Sequence, residues 1–215
     1  MKLVWSPELA SKAYIDTVKW KSDEKLKESG TAEFLAAMAA GWNAKLIVEA
    51  WSHGAPIGTS IGLAIAARHT CGRHVCVVPD ERSRLEYVKS MAETEVIVGE
   101  AEEVMVALKG VNFVVVDCRR KDFARVLRVA RLSHEGAVLA CMNALQRSNT
   151  FSGFRWLEVL EKGTRVVRSV FMPVGQGLDV AYVGSKGGTR GSKKDPSRWI
   201  KQIDQESGEE HIFRR

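Results

Sequence analysis

The middle of the chain carries short apolar runs that alternate with stretches whose apolar residues recur at helical spacing. Five runs are continuously apolar, as in parallel strands covered on both faces: 45–51, 74–78, 95–98, 113–117 and 137–141. Helices are predicted between them over 59–68, 82–91, 100–108 and 122–132. Strands alternating with helices of this length favour right-handed crossovers and a doubly wound α/β sheet.

The two ends of the chain follow other patterns. Ser6 and Pro7 predict the start of a first helix, and Thr31 is expected to cap a second that stops at Gly41. After a helix predicted over 154–161, the runs 165–170 and 178–183 are joined by a Pro/Gly turn, which predicts an antiparallel hairpin. Beyond residue 184, a Gly- and Lys-rich tail is expected to be flexible, with one helical turn at 197–200.

Length and composition point to one folded domain. A chain of 215 residues with 45% hydrophobic and 27% charged residues is typical of a globular protein. We expect an α/β domain over 1–184, with N-terminal helices over 1–41, and a basic tail over 185–215. Neither a membrane span nor a secretory signal is apparent, which favours the cytoplasm and leaves the nucleus open.

The patterns of cysteines and charges exclude few classes of function. Three of the four cysteines fall in apolar strand runs, so free thiols are expected, and the spacing of Cys71, His74 and Cys76 matches no zinc motif. Basic residues cluster over 119–131 and 186–201. They could attract an anionic ligand or nucleic acid, or could simply be solvated. The partner, whether a small molecule, a protein or a second copy in a homodimer, stays open.

The carboxyl ends of the strands are where an open α/β sheet binds its ligand. The loop after the first strand contains glycines, but it lacks both the dinucleotide fingerprint and the lysine of a P-loop. Asp80 or Glu81 could bind ribose hydroxyls, or could serve only as acids at a helix amino end.

Several segments at these positions resemble the cation-dependent O-methyltransferases that act on caffeoyl-coenzyme A and catechols. The similar segments are 31–35, 46–49, 113–117, 121–123 and 172–178, and the similarity runs from about residue 30 to 183. The segments 1–7 and 199–213 also resemble an uncharacterised plant family described as methyltransferase-like.

The resemblance implies a Rossmann-like methyltransferase fold: a mostly parallel seven-stranded sheet with an antiparallel C-terminal hairpin and helices on both faces. It also implies S-adenosylmethionine as the methyl donor. The donor-site residues that it indicates are Glu49, Ser52, His53, Gly54, Asp80, Glu100, Ala101 and Asp117.

Three positions depart from that family's pattern. Trp51 stands where a glycine lets the donor approach the backbone, and Pro79 stands where the ribose-binding acid belongs. Asp117 and Asn143 match the family's metal site, but Met142 replaces an aspartate, and a thioether is a poor ligand for a hard cation. No metal is therefore expected.

Without a metal, another group must accept the proton of a hydroxyl acceptor. His53 is the candidate base because it lies in the donor loop, although a structural role is an alternative. Arg119, Arg120 and Lys121 could bind a phosphate-bearing acceptor at the same rim, or could equally be a helix-start surface with no ligand.

Two functions follow from these observations. The first is a divergent, metal-independent S-adenosylmethionine-dependent methyltransferase of unknown acceptor. The second is a non-catalytic binding or regulatory module, a pseudoenzyme that keeps the fold. RNA binding through the basic stretches is a third possibility.

Overall fold

The computed structural model of the protein describes residues 5–23, 30–145, 155–184, 199–203 and 210–214. In chain order its elements are α1 (Pro7–Asp23), α2 (Thr31–Gly41), β1 (Leu46–Ala50), α3 (Gly58–Thr70), β2 (Arg73–Val78), α4 (Glu81–Ser90), β3 (Glu95–Val98), α5 (Ala101–Ala107), β4 (Lys109–Val111), β5 (Phe113–Asp117), α6 (Phe123–Val129), β6 (Arg131–Leu132), β7 (Ala137–Met142), α7 (Trp156–Val159), β8 (Val166–Met172), β9 (Leu178–Val183), β10 (Trp199–Ile203) and β11 (Glu210–Arg214).

Seven strands form the main sheet in the order β3-β2-β1-β5-β7-β9-β8. The first five of these strands are parallel, whereas β9 runs antiparallel to both β7 and β8. The strand order reverses between β1 and β5, so their carboxyl ends flank the switch point of the sheet. This arrangement confirms the predicted mostly parallel seven-stranded sheet with an antiparallel C-terminal hairpin.

Helices cover both faces because the side chains of each central strand alternate between two apolar cores. In β1, Ile47 packs into the core formed with α1–α4, whereas Leu46 and Val48 pack into the core formed with α5–α7. Gly62 of α3 allows α2 to approach closely, since a Cβ there would lie 2.6 Å from the carbonyl oxygen of Ala32. The N-terminal helices therefore form a layer over α3.

Asn112 joins the starts of three central strands. Its side-chain oxygen accepts hydrogen bonds from the backbone N–H groups of Lys45 (2.9 Å) and Leu46 (2.8 Å). Its carbonyl accepts from the N–H of Val138, and its own N–H donates to the carbonyl of Leu46. This buried side chain satisfies backbone groups that would otherwise lack partners at the amino ends of the strands.

Some predicted local features differ from the structure. Thr31 is the first residue of α2 rather than its cap; Gly30 occupies the cap position and makes no side-chain hydrogen bond. The helix predicted over 122–132 ends at Val129, because 131–132 pair in parallel with β4 in a separate small sheet. The helix predicted over 154–161 is the short α7, with residue 154 outside the described residues.

The expected helical turn at 197–200 is wrong for residues 199 and 200. Both belong to β10, which pairs antiparallel with β11. The sequences of these strands are rich in β-branched and aromatic residues, which favour extended backbone over helix. Residues 185–198, where the flexible tail was predicted, lie outside the described residues.

The cysteines are free, as expected. Cys71 is exposed at the end of α3, whereas Cys76, Cys118 and Cys141 are buried. Burial, together with the nearby Glu49 carboxylate, raises the pKa of the Cys76 thiol. In the part of the chain that the structure describes, no helix combines the length and hydropathy needed to cross a membrane.

Replacing Asn112 tests its bridging role. Asn112→Ala should lower the free energy of unfolding by about 2 kcal/mol, because the buried N–H of Leu46 and the part-buried N–H of Lys45 lose their acceptor. Chemical denaturation measures the change. As a control, Ser133→Ala removes an acceptor for the exposed N–H of Glu135 and should cost less than about 0.5 kcal/mol. Similar losses for the two variants would contradict the role assigned to Asn112.

Candidate functional site

A cleft of about 730 Å³ opens at the carboxyl ends of β1, β5 and β7, beside the switch point of the sheet. This volume is typical of a small-molecule site. Its walls are the loop after β1, the start of α3, the ends of β5 and β7, and the turn between β8 and β9. The lining residues are Thr31, Glu49, Ala50, Trp51, Ser52, His53, Gly54, Ala55, Pro56, Thr59, Val115, Asp117, Arg119, Arg120, Met142, Asn143, Val174, Gln176 and Gly177.

The loop after β1 forms a tight turn on the cleft wall. The N–H of Ala55 donates to the carbonyl of Ser52 at 3.0 Å, and Gly54 has a φ of +77°, which a residue with a side chain rarely adopts. α3 follows at Gly58, and no side chain caps its amino end. Backbone N–H groups of the first turn of a helix favour an anionic ligand group.

Glu49 is a buried carboxylate at the base of the cleft. Its Oε1 accepts a hydrogen bond from the Tyr87 hydroxyl (2.6 Å), and its Oε2 accepts one from the Ser60 hydroxyl (2.9 Å). Nε2 of His74 lies 3.1 Å from Oε1. Burial and the negative charge of Glu49 raise the pKa of Tyr87, so the phenol stays protonated and donates.

Trp51 lies beneath the cleft rather than across it. Its side chain is only 5% exposed, and its ring meets the Tyr87 ring edge-on with centroids 5.3 Å apart. The backbone N–H of Trp51 donates to the carbonyl of Val77, which extends the pairing of β1 with β2. The indole Nε1 is buried with no acceptor among the described residues. The indole therefore narrows the floor but leaves the cleft open.

Asp117, the last residue of β5, is held by Arg119. The guanidinium Nε lies 2.9 Å from Oδ2 and 3.1 Å from Oδ1, Nη2 donates to Oδ2 at 2.6 Å, and the backbone N–H of Arg119 donates to Oδ1. Partial burial would raise the pKa of Asp117, but the hydrogen bonds from Arg119 and Asn143 outweigh it and lower that pKa. Asp117 is thus an ionised carboxylate with a fixed cationic partner.

Arg120 connects the β1 loop to the start of α6. Its Nη1 donates to the Ser52 hydroxyl at 2.7 Å, while Nε and Nη2 donate to the two carboxylate oxygens of Asp122 at 3.0 and 2.7 Å. Two arginines at the rim are therefore each paired with an aspartate two residues away. This part of the cleft carries little net charge.

The metal site implied by the resemblance does not fit these residues. Asp117 already holds a guanidinium, and the Sδ of Met142 lies 3.7 Å from the Thr59 hydroxyl, which donates to it. Within the described residues, no three His, Cys, Asp or Glu side chains lie close enough together to hold a metal ion. A guanidinium-bound carboxylate beside a thioether is a poor donor set for a hard cation.

The structure brings five of the eight predicted donor-site residues to the cleft: Glu49, Ser52, His53, Gly54 and Asp117. His53 lies at the rim, with Nε2 2.8 Å from Oε2 of Glu86 in α4. This distance makes Glu86 the ion-pair partner of His53 at the rim when the imidazole is protonated.

Asp80 follows the carboxyl end of β2, and Glu100 and Ala101 follow that of β3, but none of the three lines the cleft. Asp80 caps α4 through a hydrogen bond from the N–H of Ser83 at 2.7 Å, which lowers the pKa of Asp80. Glu100 precedes α5 without a side-chain cap bond, and Ala101 is buried in the core on the α5 face.

Sequence reasoning missed Tyr87 as a hydrogen-bond donor to Glu49 and His74 as a close neighbour of the same carboxylate. Tyr87 is the large buried residue of an otherwise polar helix. That pattern was a usable signal, because a buried tyrosine needs a hydrogen-bond partner. His74 gave no comparable signal, since one histidine at the start of an apolar strand fits many environments.

The fold and the position of the cleft define the class: the architecture is that of the methyltransferases. Three solved structures are similar in fold. A methyltransferase from Geobacter sulfurreducens is 20% identical with a TM-score of 0.58, covering 80% of this chain and 88% of that one. The Podospora anserina methyltransferase PaMTH1, solved with SAH (S-adenosylhomocysteine), is 16% identical with a TM-score of 0.55, covering 85% and 90%. An O-methyltransferase from Bacillus cereus, in complex with SAH, is 16% identical with a TM-score of 0.52, covering 80% and 90%.

Within that class, the chain belongs to the family described as a protein of unknown function, DUF1442, whose model matches residues 1–215. No curated protein matches the chain in sequence.

The Glu49 contacts predict that Tyr87→Phe will destabilise the protein by about 2 kcal/mol, because a buried carboxylate loses a donor. Tyr14→Phe is the matched control, since Tyr14 is half exposed on α1, and its effect should stay below about 0.5 kcal/mol. Urea denaturation of both variants makes the comparison. If Tyr87→Phe left the free energy of unfolding unchanged, the hydrogen bond from Tyr87 to Glu49 would not stabilise the protein.

Proposed function

We propose that the protein binds S-adenosylmethionine in the cleft and is a divergent methyltransferase that uses no metal. The observation that carries the proposal is the cleft itself, which lies at the switch point of the sheet with a glycine-containing turn on its wall. The similar folds solved with SAH support this choice of ligand. The resemblance to caffeoyl-coenzyme A enzymes supports transfer to oxygen, and we place the activity in domain 1–184 in the cytoplasm.

The donor would lie along the β1 loop. Backbone groups at Ser52 and Gly54 would contact its methionine part, and the uncapped start of α3 would face its carboxylate. The adenosine would extend toward the ends of β2 and β3, where Asp80, Glu100 and Ala101 lie. Transfer of the sulfonium methyl to a nucleophile held in line needs chiefly alignment, which a preformed cleft supplies.

A variant that fills the cleft tests donor binding. Ala55 lines the cleft and is only partly exposed, so Ala55→Trp should occupy the space of the donor. Calorimetric titration should show saturable binding of S-adenosylmethionine and S-adenosylhomocysteine to the unaltered protein. The affinity of Ala55→Trp should be weaker by at least about tenfold.

Ala92→Trp serves as the control for that titration. Ala92 is exposed in the turn between α4 and β3 and does not line the cleft, so its replacement should leave donor affinity unchanged. Absence of binding to the unaltered protein up to millimolar donor would contradict the proposal. Equal weakening by both tryptophans would place the donor somewhere other than the cleft.

A non-catalytic binding module is the second candidate, and Trp51 is the observation that favours it. The indole lies at the cleft floor, at the position where the family that the sequence resembles has a glycine. In this alternative the unaltered protein binds no donor, whereas Trp51→Gly gains measurable affinity. RNA binding has less support, since Arg119, Arg120 and Arg125 are each paired with a carboxylate.

A further inference from the structure

The titratable groups that line the cleft are already engaged within the described part of the chain. Both oxygens of Glu49 accept hydrogen bonds from buried hydroxyls, and Asp117 is held by Arg119. His53 directs Nε2 to Glu86 at the rim. A hydroxyl acceptor would have to lose its proton before or during attack, and a cleft with such groups is poorly equipped to remove one.

Arg119 has spare capacity to bind an oxyanion. Nε and Nη2 of its guanidinium bind Asp117, but Nη1 has no partner among the described residues. The side chain is 49% exposed and lines the cleft. A guanidinium cannot accept a proton, yet its planar array of N–H donors matches the two oxygens of a carboxylate.

From this combination we infer that the methyl acceptor is a carboxylate, bound by Arg119, and that the product is a methyl ester. The inference rests on the proposed function, because it assumes a sulfonium donor in the cleft. This acceptor class suits the site because Nη1 of Arg119 can donate to it and because a carboxylate needs no base to remove a proton.

The chemistry balances without a base. A carboxylic acid with a pKa of about 4 is ionised at neutral pH, whereas a phenol with a pKa of about 10 is not. One carboxylate oxygen is held by Arg119 while the other forms a bond to the methyl carbon. The carbon–sulfur bond breaks with its electron pair going to sulfur. An anion and a sulfonium cation thus become a neutral ester and a neutral thioether, and no proton moves.

The test uses the full chain with methyl-labelled S-adenosylmethionine. Benzoate and cinnamate are the carboxylate probes, and benzyl alcohol, cinnamyl alcohol and phenol are their matched hydroxyl counterparts. Mild base releases labelled methanol from an ester but not from an ether. We expect base-labile label with the carboxylates and none with the hydroxyl compounds.

The outcomes separate this inference from the function on which it rests. Stable, ether-bound label would overturn the carboxylate assignment, and so would no ester from either carboxylate when calorimetry shows that the donor binds. Failure of the donor itself to bind would overturn the proposed function, and the carboxylate assignment with it.

Variants of the Arg119–Asp117 pair distinguish ligand binding from a structural role. Arg119→Gln should lower kcat/KM for the carboxylate about 10- to 100-fold, mainly through KM, because a charge-assisted hydrogen bond is lost. Arg119→Lys should recover part of this loss. Asp117→Asn should instead lower KM, because it releases the guanidinium for the substrate.

Arg73→Gln is the matched control. Arg73 also pairs with a carboxylate, since its Nη2 donates to both oxygens of Glu95, but it lies at the amino end of β2, so its loss should leave the kinetics unchanged. If Asp117→Asn and Arg119→Gln raised KM equally and lowered the melting temperature together, the pair would be structural and the inference would fail.

Discussion

The hydrogen bonds of the buried Glu49 carboxylate hold together the elements that form the cleft. An ionised carboxylate in a protein interior costs several kcal/mol unless donors surround it. Here the donors come from α3, through Ser60, and from α4, through Tyr87. Glu49 of β1 thereby joins α3, which follows β1, to α4, which follows the neighbouring strand β2. Tyr87 also packs against Trp51, so the same carboxylate determines where the indole lies.

The opposite wall is organised by two arginine–aspartate pairs. Arg119 with Asp117 and Arg120 with Asp122 place both cations and both anions at the carboxyl end of β5. Arg120 also reaches Ser52, which links this wall to the β1 loop. The pairing makes the rim nearly neutral and holds the Asp117 carboxylate against a guanidinium. The cleft then offers Nη1 of Arg119 and an open volume bordered by the backbone of the β1 loop.

The sheet could be predicted from the sequence because the central apolar runs have the length of strands and alternate with helical stretches, as in parallel sheets covered on both faces. The Pro/Gly turn between the last two apolar runs predicted the closing hairpin, and the rule that open α/β sheets bind ligands at the carboxyl ends of their strands predicted the position of the cleft. The contacts across the sheet could not be predicted in this way. Nothing in the local sequence of Tyr87 shows that it reaches Glu49, and Asp117 looked available until its bidentate contact with Arg119 was visible. Asp80 could be predicted either to bind ribose hydroxyls or to serve as an acid at a helix amino end, and in the structure its side chain caps α4.

A crystal structure of the protein with S-adenosylhomocysteine would test most directly the claim that the methyl donor binds in this cleft. We expect the ligand between the 52–56 loop and Asp117, with the Trp51 indole still packed on Tyr87 beneath it and Arg119 still bound to Asp117. A ligand bound away from these residues would contradict the claim. So would crystals grown with saturating ligand in which the cleft stays empty.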